Sequence, residues 1–372
     1  MPARCQGIAA VATLLALASC GSPKLSPDET VEWQAHPIYE VGAAGAGSVE
    51  FGSVSSILLG PDGALYVVDQ WKSAISVFDT TGRFVRNIGR VGAGPGEYRD
   101  PYSIAWMGKS LALLDPRNAR LGLFDSAGNW VTSWPAPGIS GGQVIRLYRT
   151  PPTAWLFAPG HDAFSGTFVQ YSATGSRAST RVLTLDEPPS QGRRCVRPDS
   201  GTNYFSQPFG ATLLQIPAGG TIRALALTSA YRIAIVGALG DTLRVISRDT
   251  PLAPITDSEW TAANSDWVKF RQEWPTATCD VGEFSRPSAK PPLVHLFIDD
   301  VGRLWVERAT PTGPRYDIFS TTGILVATVT GLPSSEGIDP TVAGDRIAFV
   351  GHDSTDNPMV RVYRVATGVQ KQ

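Results

Sequence analysis

The sequence predicts an all-β fold, a six-bladed β-propeller closed by an N-terminal outer strand and carrying a short helical insertion. Three observations predict it: one hairpin phrase that occurs six times, a basal spacing near 46 residues between copies, and a spare strand near the N-terminus where the last repeat runs out of chain. Composition agrees. The 372 residues are 17% charged and 42% hydrophobic, which excludes a disordered charged chain. The 38 Gly and 29 Pro suit many short strands joined by turns.

Phe78-Asp79-Thr80-Thr81-Gly82-Arg83-Phe84-Val85 sets the phrase: an aromatic residue, short polar residues, a glycine, then a β-prone run. It recurs as Phe124-Asp125-Ser126-Ala127-Gly128-Asn129-Trp130-Val131, Tyr171-Ser172-Ala173-Thr174-Gly175 and Phe319-Ser320-Thr321-Thr322-Gly323-Ile324-Leu325-Val326. A weaker copy centres on Gly240 and the last on Gly368. Each reads as strand, tight turn and strand, with glycine where φ must be positive. The glycines at 82, 128, 175, 240, 323 and 368 leave gaps of 46, 47, 65, 83 and 45 residues. About 46 residues make one four-stranded blade. The two long gaps therefore hold a blade plus insertions near 187–209 and 252–290. Pro61-Asp62-Gly63 and Asp300-Val301-Gly302, each followed by an apolar run, read as turns from the innermost to the second strand.

After Gly368 only residues 369–372 remain, too few for an outer strand. Residues 33–42 (WQAHPIYEVG) parallel residues 84–92 (FVRNIGRVG), and both lead into Gly-rich links. Residues near 33–42 are therefore expected to be the outermost strand of the sixth blade. A ring held by its two chain ends leaves no open sheet edge.

The link Val91-Gly92-Ala93-Gly94-Pro95-Gly96-Glu97-Tyr98-Arg99-Asp100-Pro101 resembles the GxGPGEF/Y link of bacterial six-bladed, NHL-like propeller lipoproteins. Val68-Asp69 and Leu114-Asp115 resemble the end of the second strand in NHL repeats. The resemblance covers nearly all of 33–368 and implies the fold. It implies no single function, because the architecture serves protein-binding modules, sensors, lactonases and lyases. The third and fourth blades lack both the GPGE link and the strand-end Asp.

Residues 1–19 read as a lipoprotein-type signal peptide. Residues 8–18 (IAAVATLLALA) are apolar apart from Thr13, too short to span a bilayer and fitting a secretory segment. They run into Leu17-Ala18-Ser19-Cys20-Gly21, which looks like a lipobox, so Cys20 is expected to be lipidated. Residues 20–32 read as a tether and 33–372 as the propeller. The expected location is the bacterial cell envelope, facing periplasm or exterior, with membrane contact through the lipid anchor only. Cys195 and Cys279 are then expected to form a disulfide.

Formal net charge is −1, from 32 Lys and Arg against 33 Asp and Glu, so no nucleic acid partner is expected. No phosphate-loop, dinucleotide, zinc-protease or EF-hand motif is present, and no cofactor is expected. The one GxSxG match, at 138–142, has no helix pattern after it and is discounted as a nucleophile elbow. Candidate ligand-binding residues gather in the turns between second and third strands, at one rim of the ring. They are Asp69, Trp71 and Lys72 in blade one, Asp115, Arg117, Asn118 and Arg120 in blade two, and His161 and Asp162 in blade three. Blade five supplies Arg308, blade six His352 and Asp353, and an inner-strand pattern supplies His295. This mixture suits a peptide, protein or glycan. For Asp69 and Asp115 the competing role is structural, a short carboxylate accepting backbone N–H groups. No spacing supports a metal trio of His161, His295 and His352, and no metal site is expected. The inner strands near 54–58, 102–106 and 144–147 carry Ser or Arg and lack acids, which counts against a carboxylate-lined catalytic well. The sequence thus favours a binding module over an enzyme. The alternatives are a metal-dependent hydrolase or lyase of lactonase or amidating-lyase type, or a scaffold in an envelope complex.

The longer insertion carries its own pattern. Thr256-Asp257-Ser258-Glu259 fits a capping box, Trp260, Ala263, Trp267, Phe270 and Trp274 follow on one helical stripe, and Pro275 stops the helix. The stripe is expected to pack on the propeller's own face and, with the disulfide, to form a partial lid. An exposed aromatic docking ridge is the competing expectation.

Overall fold

The computed structural model describes residues 31–43, 49–136, 146–150, 153–159, 166–172, 174–175, 177–181, 192–219, 222–237, 239–280, 282–335 and 337–366. Residues 1–30, with Cys20, the 138–142 stretch, His161, Asp162 and the turn at Gly368 lie outside them, while Val31 and Glu32, read as the end of a tether, belong to a strand.

Six four-stranded antiparallel blades follow one another along the chain, each running from the centre outward. Blade one is Val54–Leu59, Leu65–Asp69, Ala74–Phe78 and Phe84–Asn87; blade two is Ser103–Met107, Ser110–Asp115, Arg120–Phe124 and Trp130–Pro135. Blade three is Arg146–Thr150, Thr153–Pro159, Gly166–Tyr171 and Arg177–Arg181; blade four is Leu213–Gly219, Ile222–Leu227, Arg232–Val236 and Thr242–Ser247. Blade five is Leu293–Ile298, Leu304–Thr310, Gly313–Phe319 and Leu325–Thr330; blade six is Thr341–Ala343, Arg346–His352, Pro358–Ala366 and, from the N-terminal side, Val31–Val41. The hairpin glycines behave as their turns require: Gly82, Gly128, Gly175, Gly240 and Gly323 all sit at φ between 78° and 88°.

Closure uses the predicted strand and goes one step further. From Gln34 to Val41 the strand pairs antiparallel with Pro358–Ala366 of blade six. From Val31 to Gln34 it pairs parallel with Leu325–Thr330, the outer strand of blade five. One segment thus joins two blades into a single eight-stranded sheet.

The core lies between blades. Tyr66 of blade one meets Trp106 of blade two edge-on at 5.4 Å. Phe297, Trp305 and Tyr316 of blade five pack with Phe349 and Tyr363 of blade six. At the periphery, arginines cross to the next blade's outer turn. Arg86 donates to the Ser126 carbonyl (2.9 Å), Arg244 to Thr321 (3.3 Å) and Arg346 to Thr80 (3.0 Å). Near the axis, adjacent innermost strands are not paired by backbone, so their N–H groups need other acceptors. Thr341 Oγ1 accepts from Leu59 (3.1 Å), Ser56 Oγ from Ile104 (3.2 Å) and Ser103 Oγ from Leu147 (3.0 Å). Those three hydroxyls link blades six, one, two and three in series, which explains inner strands that carry Ser among apolar residues.

Both insertions replace links from an outermost strand to the next innermost strand, before and after blade four. The first forms a hairpin, Gly192–Val196 with Thr202–Ser206, and Thr278–Cys279 of the second adds a third strand. Cys195 stands opposite Cys279 and is bonded to it, with the Cα atoms 4.1 Å apart. The helical stretch is two helices, not one: α1, Asp257–Ala263, and α2, Ser265–Glu273, meet at Asn264 (φ −101°, ψ 1°). The capping box at Thr256 and Glu259 is formed. The aromatic stripe does not pack on the propeller face as expected. Trp267 and Phe270 are buried against Phe205 of the hairpin, Phe284 and the disulfide, a small core separate from the blades. The Arg193 guanidinium lies 3.5 Å above the Phe284 ring and faces Trp267 at 5.5 Å, filling the gap with a cation that aromatic faces stabilise. Burial against the hairpin also removes the exposed-ridge alternative for Trp267 and Phe270.

Candidate functional site

The innermost strands surround a cavity of about 330 Å³, a volume at the small end of small-molecule sites. All six blades contribute to its wall, including Ser53, Ser55, Tyr102, Tyr148, Pro217, Phe297 and Asp339. Polar groups therefore sit on an otherwise apolar wall, the mixture that orients a small ligand.

The chemically distinctive contact is between blades five and six. His295, on the strand Leu293–Ile298, places Nε2 2.7 Å from Oδ1 of Asp339, which lies just before the innermost strand Thr341–Ala343. Both side chains are mostly buried (16% and 24% exposed), which strengthens their interaction over one at the surface. The link carrying Asp339 is itself held. Fully buried Glu307 accepts the Ser335 N–H (3.1 Å) and the Ser334 hydroxyl, and the Tyr316 hydroxyl donates to the Pro333 carbonyl. Burial and the Glu307 carboxylate push the Tyr316 phenol well above its ordinary range, so it stays a donor.

Asp339 is the residue that sequence reasoning missed. The inner strands lack acids, but the turns and links beside them do not: Asp299, Asp300 and Asp339 all line the cavity. Asp299 and Asp300 close the turn after the inner strand of blade five; Asp339 lies in a link that no repeat phrase marks. Its neighbours Gly337, Ile338 and Pro340 gave the available signal, a turn entering an inner strand. Among the described residues, no group of three or more His, Cys, Asp or Glu could hold a metal ion.

The other sequence candidates divide by what their side chains touch. Asp69 is buried; Oδ2 accepts from Gly52 (2.8 Å), and Oδ1 accepts from Ser53 (3.1 Å) and Lys72 (3.1 Å). Asp115, also buried, accepts from Asp100 (3.1 Å) and from Asn118 Nδ2 (2.6 Å). In blade four Thr228 takes this position, its hydroxyl accepting from Thr212 (2.8 Å). Each of these holds the link that enters its own blade. Arg120 clamps the GPGE link through the carbonyls of Ala93, Gly94 and Glu97, and Asn118 adds Gly92. Lys72 Nζ reaches the Glu50 carbonyl. Arg308 lies within a strand instead of the turn read from sequence, because the hairpin of blade five is longer. There its Nε is 3.2 Å from buried Asp317, which Arg248 (2.6 Å) and the Tyr231 hydroxyl (2.7 Å) also approach. That cluster pins blade four to blade five. Asp353 accepts from Thr355 (2.8 Å) and Asn357 (3.0 Å) within its own turn, and His352 is exposed at a strand end. Trp71 is 79% exposed and Arg117 is exposed, so both face solvent at the rim.

Comparison with known proteins agrees with the fold. A family profile described as "6-bladed beta-propeller" matches residues 46–131. No curated protein matches the sequence. Among solved structures, a member of the DUF4221 family from Bacteroides vulgatus is 10% identical with a TM-score of 0.51, covering 91% of this chain and 99% of its own. A Bacteroides fragilis protein described as exported is 12% identical with a TM-score of 0.45, covering 90% and 99%. Virginiamycin B lyase from Staphylococcus aureus is 10% identical with a TM-score of 0.38, covering 91% and 96%. The sequence reading that leaned against an enzyme is corrected here. The solved chains it resembles are named largely for catalysis, streptogramin and virginiamycin B lyases and a hydrazine synthase among them. At such identities the likeness shows the fold and assigns no reaction: the chain is a six-bladed β-propeller of an architecture that enzymes use.

Proposed function

We propose that this propeller is a hydrolase or lyase acting at the wall of its central cavity, with His295 as the proton-transfer group and Asp339 as its orienting partner. The observation that carries this is the 2.7 Å contact of His295 with Asp339, the partner that lines a cavity of small-molecule size. With Nε2–H donated to the carboxylate, Nδ1 of the neutral ring is the acceptor, and Asp339 stabilises the imidazolium once a proton arrives. Two reactions balance on one proton taken and returned. In the first, His295 deprotonates a water as its oxygen bonds to a lactone or ester carbonyl, and the proton goes to the departing alkoxide as the C–O bond breaks. In the second, it removes a proton from the carbon next to a carbonyl, a C=C bond forms, and the proton follows the leaving group on the neighbouring carbon.

The described residues do not fit a protein cage for a metal ion, so neither reaction is routed through one. An extracytoplasmic location goes with this reading. The Cys195–Cys279 disulfide supports an oxidising compartment, and the signal-like residues 1–19 with Cys20 support a lipid-anchored one.

The test is a pH-indicator screen of the purified protein against lactones, simple esters and β-eliminating carbonyl compounds, run beside His295→Gln. Turnover of one class, lost in the variant, is the expected result. No turnover in any class, or equal turnover by the variant, overturns the proposal.

A further inference from the structure

Trp71 is the most exposed aromatic side chain among the described residues, at 79%, yet its turn is not loose. Asp69 anchors the start of the turn through Lys72 N–H, and Ser73 at its end adopts φ 46°. Gln70, the residue before it, lines the cavity and donates to Asp100 at 2.8 Å. Ser73 Oγ reaches the Arg99 carbonyl at 3.4 Å, and the Asp100 N–H is held by Asp115, which begins the turn bearing Arg117. Trp71, Arg99 and Arg117 therefore stand on three mutually bonded segments, the first of which reaches the cavity wall at Gln70. Arg99 and Arg117 are exposed, and among the described residues neither side chain is in an ion pair. Of the nearby carboxylates, Asp115 is buried with Asn118 and Arg120, Glu97 pairs with Arg90, and Asp100 accepts from Gln70.

We propose that this rim is a subsite for an acidic saccharide, with the Trp71 indole stacking on a sugar ring and Arg99 and Arg117 meeting its carboxylates. An exposed apolar plane on a fixed turn, beside two exposed guanidinium groups, matches a ligand with a flat C–H face and in-plane carboxylate groups, which Arg binds in bidentate fashion. A saccharide chain can occupy this rim and still reach the cavity through Gln70 and Ser53. An anionic membrane seated on the same residues would cap the mouth, so the geometry favours the saccharide. The proposal names a substrate class for the proposed function, but binding does not require turnover and is tested without it.

The experiment uses the full purified protein carrying His295→Gln, so that no reaction consumes the probe. A galacturonic acid hexamer is titrated with intrinsic fluorescence and calorimetry as readouts. Maltohexaose serves as the neutral probe, and phosphatidylglycerol vesicles as the anionic surface. The expected result is quenched indole fluorescence with the acidic hexamer and no binding of maltohexaose. Binding is expected to weaken about tenfold or more in Trp71→Ala and in Arg117→Ala, and as salt rises from low to physiological ionic strength. Both side chains face solvent, so each variant should keep the parent melting temperature. Failure of the acidic hexamer to bind, equal binding of the neutral one, unchanged affinity in both variants, or binding of vesicles alone overturns the proposal. If the hexamer binds as expected while the substrate screen shows no turnover, the subsite stands and the proposed reaction falls.

Discussion

Replacing Asp69 with Ala separates a structural strand-end carboxylate from a ligand-facing one. Asp69 accepts three backbone N–H groups, from Gly52 at 2.8 Å, Ser53 at 3.1 Å and Lys72 at 3.1 Å. It is only 2% exposed, so water cannot reach those donors from the carboxylate's side without rearrangement. A hydrogen bond to a charged acceptor contributes about 1.5 kcal/mol or more, and the three share one side chain, so we expect a loss of about 3–5 kcal/mol. For a chain of this size about 1.5 °C accompanies each kcal/mol, which puts the melting temperature roughly 5–8 °C below the parent. Asp69→Asn keeps one acceptor oxygen but turns an amide N–H₂ toward backbone donors, so it should fall between the two. Thermal melts followed by circular dichroism, with urea titration as a second probe, read the difference. The Ser53 segment lines the cavity, so any activity should fall with the fold and not before it. An Asp69→Ala protein melting within about 1 °C of the parent would refute the reasoning.

Four further outcomes follow from the same geometry. Asp317→Ala leaves the guanidinium groups of Arg248 and Arg308 facing each other across blades four and five, and should cost about 3–5 kcal/mol by urea titration. Opening the Cys195–Cys279 bridge, by paired serines or by reductant, should cost about 2–4 kcal/mol, because the crosslink closes a separation of 84 residues that includes blade four; calorimetry shows it as a lower or split transition. Deleting residues 31–41 removes the strand that joins blades five and six, and should abolish a single cooperative melt. Finally, bonds to Lys290 and Thr256 hold the Glu259 carboxyl down at about 2, from 4.5. A depressed carboxyl stabilises the native cap above its unfolded value and loses that contribution as pH falls through the folded one. The Thr256 and Glu259 amide signals should therefore hold at pH 4.5 and shift only as pH approaches 2.

The repeat made the ring legible. A turn glycine with positive φ is a local requirement, and it marks each hairpin wherever the chain is described. The closing strand was legible because residues 33–42 repeat the pattern of 84–92, although nothing local foretold that its first residues, Val31 to Gln34, would pair with blade five. Cys195 and Cys279 could be paired because only two cysteines remain after Cys20. The helix break at Asn264 was hidden, since the apolar stripe keeps its spacing across it and only a backbone angle shows the change. Asp339 was illegible for a deeper reason. Its partner His295 is 44 positions away, and their meeting depends on how blade six is rotated against blade five, a quantity that no spacing within one blade encodes. Residue types alone did not show which rim side chains hold links, as Asp69, Asp115, Asn118 and Arg120 do, and which face solvent, as Trp71 and Arg117 do.

If His295 moves the proton, a small diffusible base should replace it. In His295→Ala, turnover of whichever compound class the parent accepts should fall at least a hundredfold, and added imidazole should restore part of it in proportion to the concentration of the neutral base. Parent-level turnover in His295→Ala without imidazole would contradict the claim.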